Sequence, residues 1–350
     1  MTTHQAPIAK FLIVFAAFVI VVSGLKMASS LVVPFLLAVF IAMIVSPLLQ
    51  WLKARRVPGG IAILLIILLI LSIGLILGAV IGSSVDSFRQ DIPIYSAKLA
   101  VMSEAVQQGL AHRGIAIDAD LWQNSFDPSA VMLWVGSALA SFGNVMTNSV
   151  LILITVIFIL AENTRFGDKL RIARGDKNSQ AWLGELSSSI YGYLGIKAAI
   201  SAVTGLLIYI WLTILGVDYA VLWGLIAFLL NFVPTVGSFI AAVPAVLLAL
   251  VQLGFASAGL TLLGFVVVNF VMGSAVEPRW MGKGLNLSPL VVFVSLVLWG
   301  WVLGPVGMLL SIPLTIMVKI ALATNEDTRW ISIMLGDSTN LGSSNSESTA

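Results

Sequence analysis

Apolar runs long enough to cross a lipid bilayer recur along this chain, and they constrain the fold more than any motif does. A bilayer core of about 30 Å takes about 20 apolar residues of helix, because lipid offers the backbone no hydrogen-bond partner and each segment must satisfy its own. Residues 11–22 and 31–52 are the first two apolar runs, the first a short one, joined by a short connection at 25–30. A third, 60–84, follows the basic turn Lys53-Ala54-Arg55-Arg56 and Pro58. The first run starts after Lys10 in the manner of a signal peptide, but a second hydrophobic run follows at once, so it reads as a retained span. Charged residues make up only 10% of the chain, against about 25% in soluble domains. That is too little polar surface for a water-facing globule. The chain reads as an all-α polytopic protein embedded in the lipid bilayer.

Residues 86–127 change to the composition of a water-exposed segment, with Asp86, Asp91, Glu104, Asp118, Asp120 and Asp127 outnumbering Arg89, Lys98 and Arg113. Residues 131–148 read as amphipathic, 150–161 complete a fourth span, and the polar stretch 162–197 has an excess of bases. With the N-terminus in the cytoplasm, every one of the 18 lysines and arginines except Lys26, Arg89, Lys98 and Arg113 lies inside, which satisfies the positive-inside rule. The expected organisation is three spans in 1–85, an extracytoplasmic helical segment in 86–148, and a fourth span with a cytoplasmic segment in 149–189. A transport unit in 190–325 and a disordered cytoplasmic tail in 326–350 complete it, with both termini cytoplasmic. Gly74, Gly78 and Gly82 recur every four residues, a small-residue face that serves either packing within the subunit or a contact between subunits. A homo-oligomer is expected.

The second half holds two interrupted apolar stretches. After a span at 190–215, residues 219–232 are too few to cross, stop at Asn231-Phe-Val-Pro-Thr-Val-Gly237, and resume at 238–253. A span at 260–276 reaches Glu277-Pro278-Arg279, and the next run breaks again between 290–303 and 308–323 at Gly304-Pro305-Val306-Gly307. Each break carries Val-Gly, an apolar stretch with a small residue, then Pro, at Pro244 and Pro313. We therefore read 190–253 and 260–323 as two copies of one span followed by a helical hairpin, entering from opposite faces. Inverted repeats with broken helices are the plan of secondary transporters, whose substrate sites lie where the interruptions meet at mid-membrane. The competing reading is a pair of Pro-kinked ordinary spans.

Several function classes are excluded by composition and motif. A net charge of +2 gives no basic field for nucleic acid. With no Cys and only His4 and His112, both outside the apolar runs, thiolate chemistry and a zinc site are absent, and no GxxxxGK[ST], HExxH or GxSxG motif occurs. No enzyme activity, metal or cofactor is expected. What remains is polar groups at membrane depth. Asn231 and Asn269 serve either as interhelical hydrogen bonds or as contacts to a polar solute. Glu277 and Arg279 form either a solvated helix end or a cytoplasmic gate. Lys319 reads as a snorkelling base.

Together these segments resemble the autoinducer-2 exporter family. The resemblance is carried by Ile44-Val-Ser-Pro-Leu, Asn231-Phe-Val-Pro-Thr-Val-Gly237, Glu277-Pro-Arg-Trp-Met-Gly-Lys-Gly-Leu-Asn-Leu-Ser-Pro289, and Trp299-Gly-Trp301 through Gly304-Pro-Val-Gly-Met-Leu-Leu-Ser-Ile-Pro313. It extends along nearly the whole chain. It implies a bacterial inner-membrane protein with about eight membrane segments that exports autoinducer-2, a small polar quorum-sensing signal. Other branches of the family are described as sodium/proton antiporters, and a membrane scaffold that moves nothing is the reading from a different class. An antiporter is expected to keep a carboxylate buried at mid-membrane; Glu277 at a helix end and Asp218 in a loop do not fit that place. The expectation is alternating access, with substrate contacts at Asn231, Pro234, Thr235, Gly237, Asn269, Gly304, Pro305 and Gly307 and a gate at Glu277 and Arg279. In an elevator-like version, 190–323 moves against the first four spans.

Overall fold

The computed structural model describes residues 7–112, 130, 133, 136, 149–174, 177–234, 236–281, 287–323 and 328–336. Its helices are α1 (Pro7–Met27), α2 (Ser29–Ala54), α3 (Gly59–His112), α4 (Ser149–Arg174), α5 (Lys177–Leu215), α6 (Ala220–Leu230), α7 (Val236–Leu253) and α8 (Phe255–Phe270). A π turn at Val271–Val276 carries α8 into α9 (Glu277–Met281), and α10 (Pro289–Leu309), α11 (Ser311–Ala323) and α12 (Arg329–Met334) follow. Among the described residues there is no strand, and six helices are long and apolar enough to cross a membrane. The chain is a polytopic all-α membrane protein. The tail 337–350 lies outside the described residues.

Two compact units form. One combines Met1–Val57, Leu151–Gly195 and Gly282–Ala350, the other Pro58–Val150 and Ile196–Met281. The stretch 190–325 is thus divided, and each unit receives one of the two broken segments.

In the second of these units the third span is longer than its apolar run. α3 continues past Ser84 to His112 as one helix of 54 residues. At 1.5 Å per residue that is about 80 Å, far more than a bilayer core. The polar composition of 86–112 conceals a helical stripe, because Ile81, Val85, Phe88, Tyr95 and Leu99 are buried and join one cluster with Leu212, Leu222, Trp223, Ile226, Ala245 and Leu248. Spacings of three, four and seven keep these side chains on one face. Close approach of α5 and α6 depends on glycine, since a Cβ on Gly205 or Gly224 would come within 3 Å of the other's carbonyl oxygen. Trp211 donates from Nε1 to the Leu260 carbonyl at 3.0 Å and packs on Gly264, fastening α5 to α8.

α6 and α7 form a hairpin whose two ends lie together. The Asp218 amide donates to Gln252 Oε1 at 2.9 Å, and Gln252 Nε2 donates to the Gly216 carbonyl at 3.1 Å. The end of the second arm therefore returns to the start of the first. At the tip, Gly237 sits against the carbonyl of Leu230 so closely that a Cβ would overlap its oxygen.

The other unit contains α1, α2, α4 and α10 to α12. Ser288 caps α10 by accepting from the Val291 amide, with Pro289 in the first turn where its missing N–H is harmless. α10 kinks at Gly304, whose φ of +68° and ψ of −153° a residue with a Cβ rarely adopts. The expected break at 304–307 begins there, but helix resumes over Pro305 to Leu309 and ends at Leu310 before α11. The arms α10 and α11 lie side by side: Trp299 Nε1 donates to Thr315 Oγ1 at 3.1 Å, and Gly307 packs on the Trp299 carbonyl as Gly237 does on Leu230. The Ser288 amide donates to the Leu335 carbonyl at 3.2 Å, which ties the end of α12 to the start of α10. The two breaks share a glycine packed on a carbonyl of the first arm, but the first leaves the helix over 231–234 while the second is a kink at Gly304 after which helix resumes.

Candidate solute site at the tip of the first hairpin

α6 ends at Leu230, with Asn231 as its C-cap, because the next residues are an aromatic, a β-branched residue and Pro234, which has no N–H to continue the helix. The chain resumes as α7 at Val236, and Thr235 between them lies outside the described residues. Two flanking spans hold the tip. Asn231 Nδ2 donates to Ser201 Oγ on α5 at 2.9 Å. Ser238 Oγ, two residues into α7, donates to Asn269 Oδ1 on α8, and Asn269 Nδ2 donates to the Phe265 carbonyl at 2.7 Å. Ser201 lies within the candidate span Gly192–Leu215 and Asn269 within Phe255–Trp280, each well away from both ends. The interrupted backbone is therefore anchored at the middle height of its neighbours, where lipid supplies no hydrogen bonds.

Glu277 does not use its neighbour Arg279. Its carboxylate takes Lys197 of α5, with Nζ 2.8 and 2.9 Å from the two oxygens, while Arg279 is exposed. Lys197 is only 5% exposed. In the sequence Lys197 counts only as one of the cytoplasmic bases, with no sign of this partner. The available signal was its spacing, since Lys197, Ser201 and Thr204 share one helical face and all three are buried. Asn231, Pro234, Gly237, Asn269 and Glu277 fall in one unit; Gly304, Pro305 and Gly307 belong to the hairpin of the other.

At the base of the first hairpin, two reciprocal pairs join it to α3. Tyr95 donates to Asp218 Oδ2 at 2.8 Å, and Tyr219 donates to Asp91. Phe88 lies against both rings, at centroid distances of 6.0 and 5.9 Å. Burial, and then the hydrogen bond to Asp91, push the Tyr219 phenol above its ordinary range, so it remains a donor. Among the described residues no group of three or more Asp, Glu and His is placed to hold a metal ion.

Comparison with known proteins adds the identity of the scaffold. The description "AI-2E family transporter" matches residues 11–326. The chain is 39% identical over 330 residues to the AI-2 transport protein TqsA of Escherichia coli (strain K12), covering 94% of this chain and 96% of that protein. The chain belongs to the AI-2E transporter family. A putative transport protein of Haemophilus influenzae is 38% identical over 332 residues, covering 92% of this chain and 94% of its own length. The putative transport protein YhhT of Escherichia coli (strain K12) is 33% identical over 324 residues, 92% of each chain. Both hairpins, the Lys197–Glu277 pair and the Tyr–Asp pairs lie inside the matched range of the AI-2E family.

Proposed function

We propose that this AI-2E family protein is a secondary transporter of the bacterial inner membrane that exports a small polar signal, autoinducer-2, by alternating access. The observation that carries the reading is the first hairpin tip, an interrupted backbone anchored at mid-span through Ser201 and Asn269. The short polar turn from Asn231 to Gly237, with Asn231, Pro234, Thr235, Gly237 and Asn269, suits a hydroxyl-rich solute that brings no charge. Gly304, Pro305 and Gly307 lie at the break of the second hairpin and complete the proposed solute contacts. The resemblance to a relative named as an AI-2 transport protein supports the choice of solute. Neutralisation of Glu277 by Lys197 favours an uncharged solute over an exchanged cation, because a cation exchanger needs a carboxylate free to alternate between proton and metal. The same reading places both termini in the cytoplasm and assembles the protein as a homo-oligomer.

The test is reconstitution. Proteoliposomes holding the purified chain should move labelled autoinducer-2 down its gradient and give no proton-gradient dye response to a sodium pulse. A sodium response without signal flux would replace the reading with cation/proton antiport. Neither response would leave a scaffold.

A further inference from the structure

The π turn between Asn269 and Glu277 determines which way these two side chains point. In a regular α-helix, residues eight apart differ by about 80° around the axis. A π turn absorbs one extra residue, so the pair behaves as if seven apart and comes within about 20°. Asn269 and Glu277 thus share one face, as Lys197 and Ser201 do four residues apart on α5. The hydrogen bonds then close a ring: Lys197 to Glu277, Ser238 to Asn269, and Asn231 to Ser201, with the hairpin tip between the last two.

We propose that Lys197 is a positioning residue for transport: its ion pair with Glu277 pins the far end of the π turn to α5, fixes the rotation of α8 across that turn and so sets Asn269 against Ser238 at the hairpin tip. A π turn is a register-ambiguous element, because removing its extra residue turns everything beyond it by about 100°. Apolar packing is weakly selective among such rotations. A buried ion pair is selective, since its partners must meet in one geometry or remain charged without compensation. Lys197 reaches both carboxylate oxygens and is buried, whereas in the π turn Met272 alone is buried, so that segment offers little packing of its own. The charges therefore serve register more than stability, for well-packed apolar side chains would hold the two helices together equally well.

This inference rests on the tip being the solute site, and the experiment separates the two claims. In this cysteine-free chain, Ser238→Cys with Asn269→Cys reports the distance between tip and α8 by the rate of disulfide formation, independently of any solute. Adding Lys197→Met should slow that rate several-fold. Without the cysteines, Lys197→Met should lower the maximal rate of autoinducer-2 transport by about 10- to 100-fold, the scale of misplacing a working group by up to about 1 Å. The exchange Lys197→Glu with Glu277→Lys restores the tether and should recover both readouts, which also covers a single variant that fails to fold. Native disulfide formation in Lys197→Met overturns the positioning. Slowed disulfide formation with native transport overturns the role in transport and places the fault in the reading of the tip as solute site. An exchange variant that inserts but recovers neither readout also overturns the proposal.

Discussion

A chain carrying Gly237→Val is expected to reach the membrane in native amount and to lose transport by about 100-fold or more, the scale at which sub-ångström placement of working groups fails. A Cβ at this position would overlap the Leu230 carbonyl oxygen and lie close to Val233. The obstruction is backbone, which cannot swing aside as the end of a flexible side chain can, so the tip must open. Insertion should survive because it depends on the hydropathy of the segments, which valine does not reduce. Gly307→Val should act in the same way at the second hairpin, where the Trp299 carbonyl stands in the equivalent place. Gly259→Val is the control, since its Cβ would meet nothing within 4 Å. Immunoblots of membrane fractions together with signal flux in vesicles distinguish loss of the tip from loss of the protein.

Glu277→Gln is expected to produce the second large effect. It leaves the Lys197 ammonium buried without a counter-charge, a change that costs about 3–5 kcal/mol in comparable sites. Thermal unfolding of the detergent-solubilised protein should fall by several degrees, and transport should fall with it. Adding Lys197→Met removes the stranded charge and should recover thermal stability while leaving transport impaired. Native unfolding temperature and native flux in Glu277→Gln would reduce the pair to a solvated helix end.

The places where the chain stops being helical were legible because Pro and Gly inside an apolar run have few other meanings. Pro234 and Gly237 mark one turn, and Gly304 with Pro305 mark the other. The start of α8 was less legible. It was expected at 260, yet it begins at Phe255, immediately after Gly254 takes a φ of +89° and turns the chain out of α7. The length of α3 is hidden by the acidic composition beyond Ser84, although Val85, Phe88, Tyr95 and Leu99 keep the helical period. Non-local partners were not legible at all. Lys197 and Glu277 are 80 residues apart, and Tyr95 and Asp218 are 123 apart, so no local spacing encodes either pair. Gly237 was legible as a turn residue, but its contact with Leu230 follows only once the second arm is known to fold back along the first.

Solute protection of a single cysteine at the tip tests the central claim most directly. Val236→Cys places a thiol at the start of α7, on a side chain that is 36% exposed, in a chain with no other cysteine. Autoinducer-2 at saturating concentration should slow its reaction with a maleimide several-fold, while an unrelated polar solute should not. An unchanged labelling rate in protein that still transports the signal would contradict a solute site at the first hairpin tip.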